Sequence, residues 1–309
     1  MENILVVGSI ALDSVRTPEG ESVEALGGSA VYFSLSARQF TPVSLVGVVG
    51  EDFPVPHREM LEGRGVDLSG LKTARGKTFR WQGRYTKDLN KARTLDTQLN
   101  VFETFKPELH DEHRESPVLF LANIDPDLQW EVLAQMRKPR VVACDTMNFW
   151  IGLKRPAIKE LLSRVDVLFV NEEEAQKLAR TRNNVRAALT LSAWGPRVVV
   201  LKKGEHGALL VADGRVFPFP AFPVRTVKDP TGAGDSFAGG FMGSLARSGA
   251  DLHDVDALKR ALAYGAVMAS FNVSDFSTRR LETLAGDEIE KRYGEYRDLL
   301  SLEPARVAA

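Results

Sequence analysis

Short runs of β-branched and other apolar residues recur along the chain, and each run is followed by a longer amphipathic stretch. The runs predict buried strands at Ile4–Val7, Val43–Val49, Val118–Leu121, Val141–Cys144, Val167–Val170 and Val198–Leu201. The stretches between them predict helices near 29–40, 55–64, 127–137, 156–164, 172–180 and 184–194, and the last third predicts helices near 235–248, 254–271 and 285–301. Uninterrupted apolar strands that alternate with helices favour an α/β fold, in which helices cover both faces of a mostly parallel sheet.

Two segments depart from this alternation. Residues 13–26 contain the turn sequence Thr17-Pro18-Glu19-Gly20 and predict a hairpin inserted after the first strand. Residues 77–102 alternate between two faces, and one face carries Phe79, Trp81, Gly83 and Tyr85. We expect the two segments to form a small β-lid over the sheet; an antiparallel extension of the main sheet is the alternative. No repeat or linker marks a second domain, so residues 1–309 are expected to form one domain that includes the lid.

The charge balance and the apolar runs limit the classes of partner. The chain has 40 Lys and Arg against 41 Asp and Glu, a net charge of −1, which gives no electrostatic reason for a nucleic-acid or anionic-membrane partner. No apolar run approaches the ~20 residues that span a bilayer, and the N-terminus lacks the basic region of a signal peptide. The single cysteine, Cys144, is expected to be a buried, reduced thiol. The reduced thiol suits a cytoplasmic enzyme.

The segment with the most chemical information runs from Asp229 to Phe241 and reads DPTGAGDSFAGGF. Gly232 and Gly234 flank one small residue, so the backbone there can approach a ligand and present consecutive N–H groups. Asp235 then begins a predicted helix. Amides at a helix N-terminus stabilise an anion, and a carboxylate beside them can accept the proton of a hydroxyl that attacks a phosphoryl group. The alternative is that Asp235 is only an N-cap and the glycines only form a turn.

This segment resembles the C-terminal signature of the PfkB, or ribokinase-like, family of carbohydrate and nucleoside kinases. The resemblance implies a three-layer α/β/α sandwich and an ATP-dependent transfer of a phosphoryl group to a hydroxymethyl group of a nucleoside or sugar. It implies that Asp235 is the catalytic base and that Gly232, Ala233 and Gly234 form the anion hole. The implied cofactors are ATP and Mg²⁺, with K⁺ or another monovalent cation near Asp229, as in some relatives.

Other motifs match the same family in the same order along the chain. Gly27 and Gly28 resemble its N-terminal glycine pair, and Asp13 matches the aspartate that binds the substrate hydroxyl. Asn171 and Glu174 match its Asn-x-x-Glu motif, which implies a role in holding Mg²⁺ through water. Each match has a simpler alternative: Asp13 is a turn residue, or Asn171 and Glu174 form a capping box at the next helix.

The resemblance also implies a nucleotide site at the turn after strand 198–201 and along the helix near 263–270. Lys202 to Gly207 matches the family segment that lines the nucleotide, and Thr231 precedes the anion hole. The expected ATP-binding residues are Lys202, Gly204, Gly207, Thr231, Ala263, Ala266 and Ser270.

The expected acceptor pocket departs from the family pattern at one position. Sugar-binding members usually carry Asn a few residues beyond the glycine pair, where this chain has Tyr32. Asn148 keeps a polar group near a strand end, where parallel sheets bind ligands. The expected pocket residues are Asp13, Gly27, Gly28, Tyr32, Phe79, Trp81 and Asn148. The aromatic residues favour a nucleoside over a simple sugar, because a base can stack on them; the alternative is that they only pack.

Two other functions stay open at this stage. A phosphosugar kinase would require a cation in the acceptor pocket, and Arg80, Arg84 and Lys91 are the only candidates in the lid. A non-catalytic nucleotide-binding regulator on the same fold would not need to keep Asp235. The sequence has no P-loop, protein-kinase signature or dinucleotide fingerprint, and no Cys/His cluster or histidine spacing supports a zinc site. A homodimer formed through the β-lid is a further expectation.

Overall fold

The computed structural model describes residues 2–301, and its strands form two sheets. In chain order the strands are β1 Ile4–Val7, β2 Ala11–Thr17, β3 Gly20–Gly27, β4 Val43–Gly50, β5 Val66–Ala74, β6 Phe79–Arg84, β7 Arg93–Gln98, β8 Val118–Leu121, β9 Val141–Asp145, β10 Val167–Asn171, β11 Val198–Lys202, β12 Ala208–Ala212 and β13 Arg215–Phe219. The larger sheet has the order β13-β12-β11-β10-β9-β8-β1-β4-β5. It is parallel from β11 to β5, and an antiparallel hairpin, β12–β13, extends one edge.

Helices cover both faces of this sheet. They are α1 Ser29–Ala37, α2 Val55–Gly63, α3 Asp111–Arg114, α4 Pro126–Gln135, α5 Asn148–Leu162, α6 Glu172–Ala179, α7 Asn184–Ser192, α8 Ala233–Arg247, α9 Val255–Asn272, α10 Arg279–Thr283 and α11 Gly286–Leu300. Ile4 and Val6 pack in the core that contains α1, α8 and α9, whereas Leu5 and Val7 pack in the core that contains α5, α6 and α7. Successive strand side chains point to opposite faces, so burial on both faces explains the uninterrupted apolar runs. The predicted α/β sandwich is confirmed.

The smaller sheet is built from the two segments that departed from the α/β alternation. Its order is β3-β2-β6-β7, and we call these four strands the lid sheet. β2 pairs in parallel with β6 and places Asp13 opposite Trp81, while β3 and β7 pair antiparallel on the outer edges. Partners in register point to the same face, so the lid sheet sets Asp13 and Trp81 side by side.

Some elements differ from the sequence-based prediction. β5, β12 and β13 were not predicted. α5 begins at Asn148, well before the predicted start near residue 156, and Pro156 lies inside it with a kink at Lys154. α8 begins at Ala233 rather than at Asp235. In the described part of the chain no helix combines the length and apolar character that crossing a membrane requires.

Candidate active site

Three neighbouring parallel strands bring polar residues together at their carboxyl ends. β9 ends at Asp145, β10 at Asn171 and β11 at Lys202. The Lys202 ammonium donates a hydrogen bond to Asp145 Oδ2 over 2.8 Å, and the two side chains are only 15% and 6% exposed. Asp145 was not among the predicted site residues. Its only sequence signal was a carboxylate at the end of an apolar strand, the position at which parallel sheets bind ligands.

The N-terminus of α8 approaches this ion pair from above the strand ends. Gly232 is the N-cap, with φ of 74° in the left-handed region that favours glycine, and its Cα lies against the ring of Tyr32. A Cβ added to Gly234 would lie 2.9 Å from the Lys202 ammonium. The backbone N–H groups of Gly234 and Asp235 donate to no backbone carbonyl in the described chain. The glycines therefore permit a close approach and leave helix N–H groups available to an anion.

Asp235 lies in the first turn of α8 and is not its N-cap. Burial and the nearby Asp145 carboxylate raise its pKa to about 7, although Lys202 acts in the opposite direction. Burial opposes the charged form of Lys202. The surrounding carboxylates, of which Asp145 has the largest effect, outweigh burial and raise the pKa of Lys202. A carboxylate whose pKa is near 7 suits a general base at neutral pH, since it is both ionised in part and basic enough to take a proton.

Asn171 and Glu174 form the capping box that the sequence allowed as an alternative. The Asn171 side chain accepts from the Glu174 backbone N–H at 2.9 Å, and Glu174 Oε2 accepts from the Asn171 backbone N–H at 2.8 Å. Burial and the Asp145 carboxylate raise the pKa of Glu174. Its Oε1 atom accepts no hydrogen bond from the described side chains. The carboxylates of Asp145, Glu174 and Asp235 thus surround a single ammonium group.

Asp13 lies on the lid sheet and faces the same space. A Cβ on Gly27 would overlap its carboxylate, and Gly28, with φ of 97°, brings a backbone N–H group to it. Burial and the Asp229 carboxylate raise the pKa of Asp13 to about 7. Asp13 in turn contributes to the raised pKa of Asp235, so the two carboxylates lie within electrostatic reach of each other.

Tyr32 lies beneath the glycine loop. The side chain is 1% exposed, and its hydroxyl has no hydrogen-bond partner in the described structure. Burial, followed by the charges of Asp13 and Asp229, raises its pKa well above the usual range. The ring therefore supports Gly232, while the hydroxyl is left close to the carboxylates on the acceptor side.

Asp229 fixes the loop that leads into α8. Its Oδ1 accepts from the Thr231 backbone N–H at 2.9 Å and its Oδ2 accepts from the Ser277 backbone N–H at 3.0 Å, and the residue is buried. The Thr231 hydroxyl lies 3.3 Å from the hydroxyl of Tyr85, which follows β6 of the lid sheet. This contact to Tyr85 was not predicted, although the alternating pattern placed Tyr85 on the correct face of the lid.

The remaining predicted acceptor residues lie in different surroundings. Trp81 is partly exposed next to Asp13, its ring covers Gly83, and its indole N–H donates to the Thr94 hydroxyl at 3.3 Å. Phe79 stacks on Phe102 with 5.3 Å between ring centroids. Asn148 accepts from the Lys177 ammonium at 2.8 Å. The structure thus places Trp81 beside Asp13, while Phe79 and Asn148 have partners of their own.

The residues predicted to bind ATP come from the end of β11 and the turn that follows it, from the loop before α8, and from α9. Gly204 and Gly207 turn the chain between β11 and β12, and both have positive φ. Asn90, in the loop between β6 and β7, contacts Gly204, so the lid sheet reaches this turn. On α9, Ala263 is buried and Ala266 is partly exposed, while the Ser270 hydroxyl accepts from Arg292 at 3.1 Å.

Comparison with known proteins gives consistent matches. The family described as pfkB family carbohydrate kinase matches residues 1–283. A cytidine kinase of Thermococcus kodakarensis is 32% identical over 259 residues, which cover 80% of this chain and 90% of the relative. An ATP-dependent ribose-1-phosphate kinase of Halopiger xanaduensis is 29% identical over 287 residues, which cover 87% of this chain and 92% of the relative. The crystal structure of a nucleoside kinase of Methanocaldococcus jannaschii superposes with a TM-score of 0.75 at 20% identity. The superposition covers 96% of this chain and 99% of that structure, which shows a shared fold.

Proposed function

The chain belongs to the pfkB family of carbohydrate kinases, with a ribokinase-like fold, and from that premise we propose that it phosphorylates the hydroxymethyl group of a nucleoside, with Asp235 as the general base. The observation that supports this proposal is the position of Asp235. It lies in the first turn of α8, next to the Gly234 N–H group, which donates to no backbone carbonyl of the described chain, and within electrostatic reach of Asp13. A base, an anion site and a second carboxylate for the acceptor are therefore adjacent.

Each residue has a distinct role in the proposed transfer. Asp13 accepts a hydrogen bond from an acceptor hydroxyl and orients it, and Asp235 takes the proton of the attacking hydroxyl as the new P–O bond forms. The N–H groups of Gly232 and Gly234 and the Lys202 ammonium stabilise the negative charge on the transferring phosphoryl group, while the Ala233 N–H donates to the Pro230 carbonyl at 3.2 Å. Lys202 can act in this way because it lies directly against Gly234.

The residues present fit ATP and Mg²⁺. Asp145, Glu174 and Asp235 place three carboxylates around one ammonium group, and this excess negative charge is compatible with a divalent cation. Mg²⁺ prefers oxygen ligands and keeps several waters, so Glu174 Oε1 and Asn171 would hold it through water. When bound, the ion neutralises charge on the phosphate oxygens. The nucleotide would lie along Gly204, Gly207 and Ala266.

A monovalent cation such as K⁺ is a further part of the proposal, at the loop that Asp229 fixes. Both carboxylate oxygens of Asp229 already accept backbone N–H groups. Each carboxylate oxygen keeps further lone-pair capacity, which leaves room for an ion bound mainly by loop carbonyl groups.

The lid sheet supports a nucleoside acceptor rather than a phosphosugar. Trp81 shares a face with Asp13 and stays partly exposed, so its ring is available to a planar base. Arg80 points to the opposite face, where it pairs with Asp52 at 2.8 Å and with Glu24 at 2.7 Å. It is therefore unavailable to a second phosphate. The similarity to a cytidine kinase agrees with this choice, and a sugar-phosphate kinase is the second candidate because of the ribose-1-phosphate kinase relative.

The catalytic part of the proposal is tested with Asp235→Asn. We expect kcat to fall by roughly 10²–10⁴, the usual effect of removing a general base, while ATP binding measured by calorimetry changes little. Asp256→Asn is the matched control, because Asp256 also lies in the first turn of a helix, α9, but is exposed. Near-normal turnover by Asp235→Asn would refute the role of the base, and absence of turnover by the wild-type protein would favour a nucleotide-binding regulator.

The acceptor is tested by comparing kcat/KM for nucleosides, sugars and sugar phosphates. We expect a nucleoside to give the highest value, because base stacking on an aromatic ring contributes ~1–3 kcal/mol. Trp81→Ala should reduce the preference for nucleosides by about 5- to 150-fold, whereas Trp130→Ala, an exposed tryptophan on α4, should not. If a simple sugar is the best substrate and both variants behave alike, Trp81 only packs in the lid.

A further inference from the structure

A pair of histidines lies far from the proposed catalytic centre within the fold. His110 is the N-cap of α3 and His113 lies within that helix, which precedes β8, so both lie near the amino ends of the parallel strands, whereas the proposed catalytic residues follow the carboxyl ends. His110, Glu112 and His113 each offer a ligand atom, and these atoms lie within 4.8 Å of one another. The three residues lie within four consecutive positions of the chain, and the local turn at α3 places their side chains together.

His113 is held rigidly by the strand beside it. Its side chain is 2% exposed, and its ring packs against Gly70 of β5, where a Cβ would lie 3.0 Å from His113 Cε1. His113 Nε2 lies 3.1 Å from the Ser69 hydroxyl oxygen. That hydroxyl donates its hydrogen to Asp67 Oδ2 at 3.1 Å. Since a serine hydroxyl has one hydrogen, donation to Asp67 leaves its oxygen as the acceptor towards His113, which favours the tautomer with the hydrogen on Nε2.

The other ring nitrogen is consequently a lone-pair donor without a partner. His113 Nδ1 is buried and forms no hydrogen bond in the described structure. An unpaired buried acceptor is unfavourable, and a cation bound at Nδ1 would satisfy it. The bond from Nε2–H through Ser69 to Asp67 also matches the outer-shell support that metal-binding histidines use to fix the tautomer and orient the ring.

We propose that His113 Nδ1, His110 and Glu112 bind a divalent transition-metal ion of the zinc class, with water as the fourth ligand. Two imidazoles and one carboxylate are a common ligand set for zinc, and imidazole disfavours Mg²⁺ relative to zinc, cobalt or nickel. Ligands of a tetrahedral zinc ion lie about 3.3 Å apart. The His110 ring stacks on the His113 ring with 5.2 Å between centroids, so the exposed His110 must rotate out of this stack, and the exposed Glu112 must rotate as well, to reach that spacing.

The surrounding charges leave Glu112 free for this role. Arg137 pairs with Asp111 at 3.0 Å and with Glu115 at 2.9 Å, and Arg114 pairs with Asp111 at 3.5 Å. None of the ion pairs in the described chain includes Glu112. The bound ion would hold His110, Glu112 and His113 together at α3, which packs on β5 through His113, and would therefore act on stability rather than on phosphoryl transfer.

The test is titration of the metal-free full-length protein with Zn²⁺, and with Co²⁺ as a spectroscopic probe, in the presence of Mg²⁺. We expect binding of one ion per chain, visible Co²⁺ absorption typical of a four-coordinate site, and a melting temperature raised by about 3–6 °C at roughly a hundredfold excess over the dissociation constant. His110→Ala should lower Zn²⁺ affinity at least about tenfold and remove the Co²⁺ signal, and Glu112→Gln should weaken both. Both residues are exposed, so these variants should fold normally.

His253→Ala is the matched control, because His253 is an exposed histidine outside the cluster. It should bind Zn²⁺ as the wild type does. Turnover should be the same in the wild type, His110→Ala and His253→Ala once excess Zn²⁺ has been removed. Absence of saturable binding would overturn the proposal. Binding that His110→Ala leaves unchanged would also overturn it, because the ion would then occupy another site such as the catalytic carboxylates.

Discussion

At the scale of single residues, the proposed catalytic centre contains carboxyl groups in buried positions, where their ionisation is unfavourable. Asp13 and Asp235 both have a pKa raised to about 7, and burial is the first cause for each. A carboxylate whose folded pKa exceeds its unfolded value binds more protons in the native state, so the stability of the protein falls as the pH rises between the two values. Such groups are retained where chemistry requires them, which is why shifted carboxylates concentrate at functional sites.

This argument predicts a pH-dependent gain in stability for Asp235→Asn. The usual pKa of Asp is 3.8 and that of Asp235 is about 7, so the stability penalty develops as the pH rises through this window and is complete above it. The neutral amide avoids the penalty. We expect the variant to melt ~2–4 °C higher than the wild type near pH 8, with a smaller difference near pH 5. Scanning calorimetry of both proteins at several pH values measures this difference in melting temperature.

The control for this experiment is again Asp256→Asn, whose carboxylate is exposed on α9. Its melting temperature should follow that of the wild type at each pH. A difference between Asp235→Asn and the wild type that is independent of pH would mean that packing, and not ionisation, separates the two proteins.

Residue types within short motifs could be predicted from sequence, but partners from distant strands could not. The sequence predicted Asp235 and Asp13 as site residues from short motifs, and their roles stay predictions. The ion pair between Lys202 and Asp145 joins residues 57 positions apart on strands that flank β10, and no local pattern encodes it. The sequence predicted Tyr32 as a substrate-binding residue, which stays a prediction, but its close contact with Gly232 follows from tertiary packing that no local pattern encodes.

At the scale of elements, the N-terminus of α8 requires glycine for contact with Lys202. Gly234→Ala should preserve the fold, because Ala is better than Gly by ~1 kcal/mol within a helix. The new Cβ would lie 2.9 Å from the Lys202 ammonium and must displace it from the anion site. We therefore expect an unchanged or higher melting temperature together with a kcat at least about tenfold lower. Steady-state kinetics and thermal melting of the same preparation measure both quantities.

Gly286→Ala is the control, since Gly286 is the first residue of α11 and a Cβ there would meet no atom within 4 Å. This variant should keep its turnover. Equal losses of kcat in both variants would show that the contact between Gly234 and Lys202 is unimportant.

The elements that the sequence predicted well are those buried on both faces. All six predicted strands are present, because a continuous apolar run has few alternatives in a parallel sheet. β5 was missed at the sheet edge, where Asp67 and Ser69 interrupt the apolar residues. The hairpin β12–β13 was missed although Asp213 and Gly214, both with positive φ, form its turn; this Asp-Gly pair between apolar runs was the available signal.

At the scale of the whole molecule, topology separates the two proposed sites. All parallel strands of the main sheet point the same way, so residues that follow them gather at one end, with the lid sheet above them. The histidine cluster lies near the opposite end of the strands. The strand order places β1 between β8 and β4 and depends on long-range pairing, which composition and periodicity do not specify.

The lid sheet also leads to a prediction about assembly. Its outer strands β3 and β7 have unpaired edges within the described chain, and Val23 and Leu95 on them are 71% and 57% exposed. An exposed strand edge with apolar side chains is suited to pairing with a second copy. We expect a homodimer formed through the lid sheet, with twice the chain mass of 34.1 kDa in light scattering at micromolar concentration.

Leu95→Lys should shift the protein to the monomer, because a two-fold interface would bring two added charges together. Val185→Lys, at an exposed apolar residue on α7, should leave the dimer intact. A wild-type protein that stays monomeric across this concentration range would show that the lid edge is not an interface, and a dimer that persists in Leu95→Lys would place the interface elsewhere.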